Sequence, residues 1–144
     1  MKIFKIFQIH LTDAEVDKVN ETGDHFSVPK QASKIRLQLG AGQDLVARAK
    51  KAFGEGHFSF CGTIEANGLD HCFRVGNIGP EELITRFGAM HSLSVGDLIE
   101  DPEGNIHVVA SFGFELVVDA KALQPLPSSA SPLRKASLLA WKAA

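Results

Sequence analysis

The side chains that could perform chemistry in this sequence are six histidines, two cysteines and an aspartate at a predicted turn. No two histidines have the His-x-His or His-Glu-x-x-His spacing that places ligands around a catalytic zinc ion. His57, Cys61 and Cys72 could supply three metal ligands, but the paired Cys-x-x-Cys spacing of zinc sites and a defined fourth ligand are missing. We therefore predict reduced, structural cysteines, no metal and no other cofactor.

Asp97 is the carboxylate most suggestive of a site, because it follows Gly96 at the entry to a predicted strand. A short acidic side chain at such a position usually accepts a hydrogen bond from a turn amide. His91 and Ser92 are adjacent in the chain, an arrangement that seldom makes a base and a nucleophile, so we expect Ser92 to shape a turn. We predict no catalytic residue, and a small hydrolase or metal enzyme is the third interpretation.

A cluster of basic residues between Pro29 and Lys51 is the candidate binding surface. It has six cations against one acid, Asp44, a local charge of +5, whereas the whole chain has a net charge of −2. The cations are Lys30, Lys34, Arg36, Arg48, Lys50 and Lys51. Such a run is often only a solvated helix face. The alternative is a contact surface for phosphates or for an acidic protein. The chain as a whole has no strong electrostatic field to attract nucleic acid, and it is not acidic enough to imitate DNA.

The first elements are predicted from hydrophobic spacing and capping residues. Apolar residues on both sides of the stretch from Lys2 to His10 predict a well-buried strand. Thr12 and Glu15 have the spacing of a capping box, which predicts a helix over 13–21 that ends before Gly23.

The secondary structure of the basic cluster is predicted in two parts. Alternating apolar residues favour a short strand near Lys34 to Leu39. From Gln43 to Phe53 the apolar residues recur on one helical face, and Gly54 suits the helix end. The helix directs Arg48, Lys50 and Lys51 outward, so half of the basic cluster should be exposed on it.

A hairpin is predicted around Asn67-Gly68, a pair that favours a tight turn. Its register would set Phe60 opposite Val75 and make Cys61 and Cys72 diagonal neighbours, beyond comfortable disulfide reach. A helix that Pro80 begins should follow this hairpin.

A second hairpin is predicted from Val95 to Phe112, with its turn at Asp101-Pro102-Glu103-Gly104. Its register sets Leu98 opposite Val108 and Ile99 opposite His107. Both faces of the hairpin then carry apolar side chains, which is typical of strands inside a sheet or barrel. A final strand over Phe114 to Val118 follows.

This hairpin also carries a family resemblance. Ser92-Leu93-Ser94-Val95-Gly96-Asp97, a turn containing Gly104, and the stretch from Val108 to Phe114 resemble the Ser-Leu-Ser-Val-x-Asp-Val-Val and Gly-Phe pattern of YodL-like domains. The match covers residues 91–114. The resemblance implies a protein of a phage, plasmid or conjugative element, and some such domains accompany antirestriction genes. It brings no catalytic residue.

The C-terminal part has the composition of a linker and a helix. Residues 124–131 are rich in proline and serine, and residues 132–144 contain apolar side chains together with basic ones. We predict a helix on a linker that either folds back on its own domain or binds a partner. Arg134 and Trp141 are its candidate contacts.

The predicted fold is α+β: a curved, mostly antiparallel sheet or partial β-barrel with three to four packed helices in residues 1–123, and the C-terminal helix on its linker. A chain of 144 residues makes about one such domain. No stretch approaches the length of a membrane helix, and the two cysteines suit a reducing compartment, so we expect a cytoplasmic protein without a membrane contact.

The predicted function is that of a non-enzymatic interaction protein of a phage or plasmid. It would inhibit a host defence system, restriction or CRISPR, by occupying the surface of a host protein or ribonucleoprotein complex. The alternative is a nucleic-acid-binding module that uses the cluster from Lys30 to Lys51.

Overall fold

The N-terminal strand lies inside a six-stranded antiparallel sheet in the computed structural model, which describes residues 1–39 and 44–121. The strands are β1 (Lys2–Gln8), β2 (Ser59–Ala66), β3 (Ile84–Arg86), β4 (Leu98–Glu100), β5 (Ile106–Val109) and β6 (Phe114–Val118). Their order across the sheet is β3-β2-β1-β4-β5-β6, so β1 pairs with both β2 and β4. The sheet is open, and β3 and β6 form its edges.

Four α-helices and one short 3-10 helix accompany the sheet in the described residues. They are α1 (Asp13–Thr22), α2 (Pro29–Leu39), α3 (Asp44–Gly54), α4 (Leu69–Ile78) and the 3-10 turn Glu81–Leu83. The predicted α+β class is confirmed. The sheet does not close into a barrel, because β3 and β6 do not pair.

The middle of the sheet is buried on both faces. On one face, Phe7 and Leu98 pack with Leu37 of α2 and Leu45 of α3. On the other face, Ile6 and Ile99 join a cluster that includes α4 side chains. Four aliphatic side chains of this region are 0% exposed: Ile6, Leu98, Ile99 and Val108. Each such burial contributes about 1.5–3 kcal/mol of transfer free energy, which explains why apolar residues occupy both sides of β1 and β4.

The predicted register of the central hairpin is confirmed. Leu98 pairs with Val108 and Ile99 with His107. The backbone N–H of Asp101 donates to the carbonyl oxygen of Asn105 at 2.9 Å and closes the turn. Gly104 has a φ of +90°, a conformation that glycine adopts at low cost. The predicted final strand is confirmed as β6.

The first strand and two helices are confirmed within a residue or two. β1 ends at Gln8, and α1 begins after Thr12, whose hydroxyl accepts from the N–H of Glu15 at 3.2 Å. The Glu15 carboxylate accepts in return from the N–H of Thr12 at 2.8 Å, so the capping box is complete. α3 corresponds to the helix predicted from Gln43 to Phe53.

The short strand predicted near Lys34 to Leu39 is wrong, because these residues belong to α2. Pro29 occupies the first helical position, where its missing N–H costs nothing. The N–H of Ala32 donates to the carbonyl oxygen of Val28 at 3.0 Å, which starts the helical bonding. The apolar alternation is misleading, since Leu37 is 2% exposed and Leu39 is 77% exposed.

The hairpin predicted around Asn67-Gly68 is also wrong. Gly68 precedes α4, and its carbonyl oxygen accepts from the N–H of Cys72 at 2.9 Å. Phe60 pairs with Phe7 of β1 and not with Val75. A helical repeat fits the segment, because Leu69, Cys72 and Phe73 have i, i+3, i+4 spacing and all contact the same core. The predicted diagonal placement of the two cysteines therefore does not exist.

The helix predicted to begin at Pro80 is a single 3-10 turn, Glu81–Leu83, followed by β3. β3 pairs with β2, and a Cβ on Gly62 would overlap the carbonyl oxygen of Thr85. β3 can therefore pair with β2 because Gly62 has no side chain. The predicted linker over 124–131 and helix over 132–144 lie outside the described residues and stay predictions.

Candidate functional site

The six cations of the predicted basic cluster lie on α2 and α3, but they do not form one surface. Three of them, Arg36, Arg48 and Lys51, line a cleft of about 170 Å³ between the two helices. Lys30 contacts the N-terminal part of the chain, as described below. Lys50 is exposed on α3 and is not among the cleft residues. We call this pocket the cationic cleft.

The cationic cleft exists because small residues face each other where α2 and α3 approach. Its other lining residues are Phe26, Pro29, Ala32, Ser33, Ala52, Glu55 and His57. Ala32 and Ala52 are buried between the helices, with 4% and 2% exposure. Because their side chains are single methyl groups, they fill little of the space. The cleft is therefore a depression with small side chains at its base and cations along its walls.

The charge of the cleft is only partly neutralised. Arg48 Nη2 lies 3.9 Å from Asp44 Oδ2, a weak exposed ion pair within α3. Its Nη1 donates to the carbonyl oxygen of Arg36 at 3.2 Å. Arg36 and Lys51 form no ion pair with any carboxylate in the described residues. Within the described residues, the cleft thus has three cations against one lining carboxylate, Glu55, and this excess of positive charge in a concave site favours an anionic ligand.

A serine and a histidine add polar groups to the cleft. Ser33 Oγ lies 2.7 Å from His57 Nδ1, which joins α2 to the segment before β2. The pair resembles the nucleophile and base of a hydrolase. Glu55 Oε2, the carboxylate that would orient the ring, is 3.9 Å from His57 Nε2, which is beyond hydrogen-bonding distance. The pair is thus suited to contact a ligand more than to activate Ser33.

An aromatic residue forms the rim of the cleft. The Phe26 ring is 55% exposed, and Arg36 Cζ lies 5.4 Å from its centroid, within cation–π range. Asp24 Oδ1 accepts a hydrogen bond from the Phe26 N–H at 2.9 Å, which holds the rim backbone in a turn. The wall of the cleft at this point is the Phe26 ring with the Arg36 guanidinium over one of its faces.

A second polar cluster lies at the end of β1 and contains Asp97. Gln8 is fully buried, and its Nε2 donates to Asp97 Oδ2 at 3.0 Å and to the carbonyl oxygen of His91 at 2.9 Å. The N–H of Ser94 donates to the same Asp97 oxygen at 2.9 Å. The predicted role of Asp97 as acceptor for a turn amide is confirmed.

The electrostatics of this cluster follow from its burial. Burial raises the pKa of Asp97 to about 6, against the hydrogen bond from Ser94 and the charge of His91. Burial also lowers the pKa of His10, and His91 and Lys34 act in the same direction. The His10 and His91 rings are 5.0 Å apart. Protonation of His10 is therefore disfavoured by burial first and by the neighbouring His91 second.

Lys30 forms an ion pair and a hydrogen bond at the same end of the molecule. Its Nζ lies 3.1 Å from Glu15 Oε1 and donates to the carbonyl oxygen of His10 at 3.3 Å. The ammonium group is thereby engaged within the fold. Lys34 lines a very small pocket together with Asp97, on the side of α2 that faces β1. These two cations are separated from the cationic cleft, so the predicted cluster divides by helix face.

Three positions of the motif that resembles YodL-like domains have a structural explanation. Leu93 is 3% exposed and lies close to Gly76, where a Cβ would come within 2.6 Å of Leu93 Cδ1. Gly96 has a φ of +97°, and a Cβ there would lie 2.9 Å from the Leu37 Cβ. Asp97 binds the turn. The motif thus joins β1, α2 and α4 to the start of β4.

The two cysteines are buried and free. Burial raises the pKa of Cys61 to about 11 and that of Cys72 to about 12, so both favour the unreactive thiol form. The described residues contain no group of three or more histidine, cysteine, aspartate or glutamate side chains placed to hold a metal ion. Among the same residues, every helix is too short or too polar to span a bilayer.

Sequence reasoning did not assign Phe26 or Ser33 to a site, and it considered His57 only as a metal ligand. Ser33 and His57 are 24 positions apart, and no spacing rule connects them. Arg134 and Trp141, the candidate contacts of the tail, lie outside the described residues. Comparison with protein-family models, with curated proteins and with solved structures found no match to this chain.

Proposed function

We propose that this protein is a non-catalytic binding protein that occupies an anionic surface of a partner, and that the cationic cleft is the contact. The observation that carries the proposal is the convergence of Arg36, Arg48 and Lys51 on one concave site. Arg36 and Lys51 have no carboxylate partner in the described residues, so a partner's acidic group would supply the missing counter-charge. Arginine is well suited to this because its guanidinium binds carboxylates and phosphates with paired hydrogen bonds.

Binding without turnover is supported by the state of the reactive side chains. The Ser33 and His57 pair has no carboxylate within hydrogen-bonding distance of His57 Nε2 to orient it in the described part of the chain. The thiols of Cys61 and Cys72 are held protonated by burial. The polar groups of the cleft therefore serve recognition in this proposal.

The proposed setting is the cytoplasm of a bacterial host, and the proposed partner is a protein or ribonucleoprotein of a restriction or CRISPR system. This part of the proposal is supported by the resemblance of residues 91–114 to YodL-like domains of phages and plasmids. The second candidate, nucleic-acid binding, is favoured by one observation: the exposed Phe26 ring lies beside Arg36 at the same cleft.

A capture experiment tests the proposal. The tagged full-length protein is incubated with bacterial lysate, with and without nuclease, and compared with an Arg48→Glu/Lys51→Glu variant. We expect the double charge reversal to abolish capture of a protein partner, because two cations of the cleft become anions. Nuclease should leave the capture unchanged.

The matched control is Lys18→Glu, which reverses an exposed charge on α1, away from the cleft. It should capture the partner as the unchanged protein does. Lys50→Glu tests whether the exposed basic face of α3 outside the cleft makes the contact. Capture that survives the double reversal but is lost in Lys50→Glu would refute the cleft as the contact, and capture that nuclease abolishes would favour the nucleic-acid alternative.

A further inference from the structure

We infer that the cationic cleft binds a single nucleotide, with its phosphate on Arg48 and Lys51 and its base against the wall made by Phe26 and Arg36. The inference rests on the proposed function, since both use the same cleft. It adds the chemical class of the ligand: a phosphate joined to a planar aromatic ring.

The phosphate half follows from the arrangement of donors. Arg48 and Lys51 are separated by one helical turn on α3 and line the same cleft, so one tetrahedral anion can contact both. The Ser33 hydroxyl and the His57 ring lie at the same cleft and can contribute further hydrogen bonds. A phosphate offers enough acceptor oxygens for all four groups, whereas a carboxylate has two oxygens.

The proposed contact with the nucleobase is inferred from the aromatic residue at the rim of the cleft. A carboxylate gains little from an aromatic wall, so charge recognition alone does not account for the exposed Phe26 ring. Nucleobases stack on aromatic rings and on guanidinium planes. Arg36 Cζ lies over one face of the Phe26 ring, 5.4 Å from its centroid, so a base can stack on the other face of the ring or on the outer side of the guanidinium.

Size and charge limit the ligand to one nucleotide. The cleft of about 170 Å³ is smaller than the roughly 300–1,000 Å³ of typical small-molecule sites. Glu55 lines it, and Asp44 lies 3.9 Å from Arg48, so acidic groups flank the cations. With a net charge of −2, the protein as a whole does not attract a long polyanion strongly. A nucleotide, or the end of a strand, fits these limits.

Calorimetric titration of the purified full-length protein tests the inference. The probes are the four nucleoside 5′-monophosphates, inorganic phosphate and the corresponding nucleosides. We expect at least one monophosphate to bind about tenfold or more tightly than phosphate and than its own nucleoside, because stacking and charge act together.

Two variants test the base-binding part and the phosphate-binding part of the site separately. Phe26→Ala should weaken nucleotide binding roughly five- to a hundredfold and leave phosphate binding unchanged, since only the stacking surface is lost. Arg48→Gln/Lys51→Gln should weaken both by about tenfold or more. The matched control is Phe112→Ala, which removes a ring that is 97% exposed and does not line the cleft. Thermal melts verify that each variant is folded.

Three outcomes overturn the inference: no monophosphate binds, phosphate alone binds as tightly as every monophosphate, or Phe26→Ala binds nucleotides like the unchanged protein. The capture experiment distinguishes this failure from that of the proposed function. If Arg48→Glu/Lys51→Glu abolishes capture while no nucleotide binds, the partner function stands and the nucleotide site fails. If nucleotides bind as expected while that double variant still captures the partner, the nucleotide site stands and the partner function fails.

Discussion

Arg48 Nη1 donates a hydrogen bond to the backbone carbonyl oxygen of Arg36 at 3.2 Å, so a cation of the cleft also joins α3 to α2. The bond lies near the end of α2, where the last carbonyl groups of a helix lack partners within the helix. Arg48 therefore contributes both to the charge of the cleft and to the packing of its walls. Binding measurements on Arg48 variants need a stability measurement beside them.

Replacement of Arg48 by alanine should lower the free energy of unfolding by about 0.5–1.5 kcal/mol, the usual contribution of one hydrogen bond. Urea denaturation followed by circular dichroism measures this. Lys50→Ala is the matched control, because Lys50 is exposed on the same helix and makes no hydrogen bond or ion pair in the described residues. Its effect should stay below about 0.5 kcal/mol. Equal losses in the two variants would mean that the bond between the helices does not form in solution.

Gly96→Ala should destabilise the protein by about 1–3 kcal/mol. Gly96 has a φ of +97°, which strains any residue with a Cβ, and that Cβ would lie 2.9 Å from the Cβ of Leu37. Thermal and urea denaturation measure the loss.

Gly88→Ala is the control for this substitution, since a Cβ on Gly88 meets no atom within 4 Å and its φ is not positive. Its stability should change by no more than about 0.5 kcal/mol. An undiminished stability of Gly96→Ala would contradict the close packing of the motif turn on α2.

Asp97 should make an acid-dependent contribution to stability. Its folded-state pKa is raised to about 6 from 3.8, so between about pH 6 and pH 4 the folded state binds a proton that the unfolded state releases. This contribution therefore increases as the pH falls through about 6 and is lost as the pH rises through the same value. Its full size is roughly 2–3 kcal/mol. Carboxyl-carbon NMR should show Asp97 titrating near pH 6.

Asp97→Asn isolates this effect. The Ser94 N–H and Gln8 Nε2 both donate to one oxygen of Asp97, so the amide oxygen of an asparagine can accept both hydrogen bonds. We expect the Asp97→Asn variant to lose the rise in stability between about pH 6 and pH 4. The pH dependence of stability that remains in the variant should include the opposite effect of His10. Its lowered pKa makes the free energy of unfolding fall as the pH drops below 6.5. Identical pH profiles for the two proteins would contradict a buried carboxylate.

Removal of the acceptor gives the complementary result. Asp97→Ala removes the acceptor of the Ser94 N–H and of one N–H of Gln8 Nε2, which should cost about 1–3 kcal/mol on the alkaline side of the Asp97 pKa and roughly 2–3 kcal/mol more on the acid side, where the contribution of the protonated carboxyl is lost as well. Urea denaturation on the acid side and on the alkaline side of the Asp97 pKa measures the loss. A loss confined to one pH would show that charge, and not hydrogen bonding, is the main role of Asp97.

The parts of the fold that depend on nearby residues are predictable. Leu98 and Val108 pair across a turn whose own residues, Pro102 and Gly104, favour that turn. The pairing of Phe60 with Phe7 joins residues more than fifty positions apart, and nothing local in the sequence indicates it. A glycine after asparagine suits both a hairpin turn and the start of a helix, so Gly68 cannot decide between them.

The candidate site is predictable in its charges but not in its shape. The six cations can be identified from composition, since clustering of charge is visible in the chain itself. The separation of Arg36 from Lys30 and Lys34 on α2 depends on helical geometry, which the apolar alternation toward Leu39 conceals. Ser33 meets His57 only after α2 packs on α3, so their contact is a tertiary property.

The central position of β1 has a consequence for synthesis of the protein on the ribosome. β1 precedes every other strand of the described residues, yet its partner β4 begins at Leu98, and Lys5 pairs with Glu100. The edge of β1 that pairs with β4 stays unpaired until Leu98–Glu100 has been made, which takes roughly 5–20 s after β1 at typical elongation rates. Nascent chains stalled before Leu98 should therefore bind chaperones through β1, and release of Glu100 from the exit tunnel should end that binding.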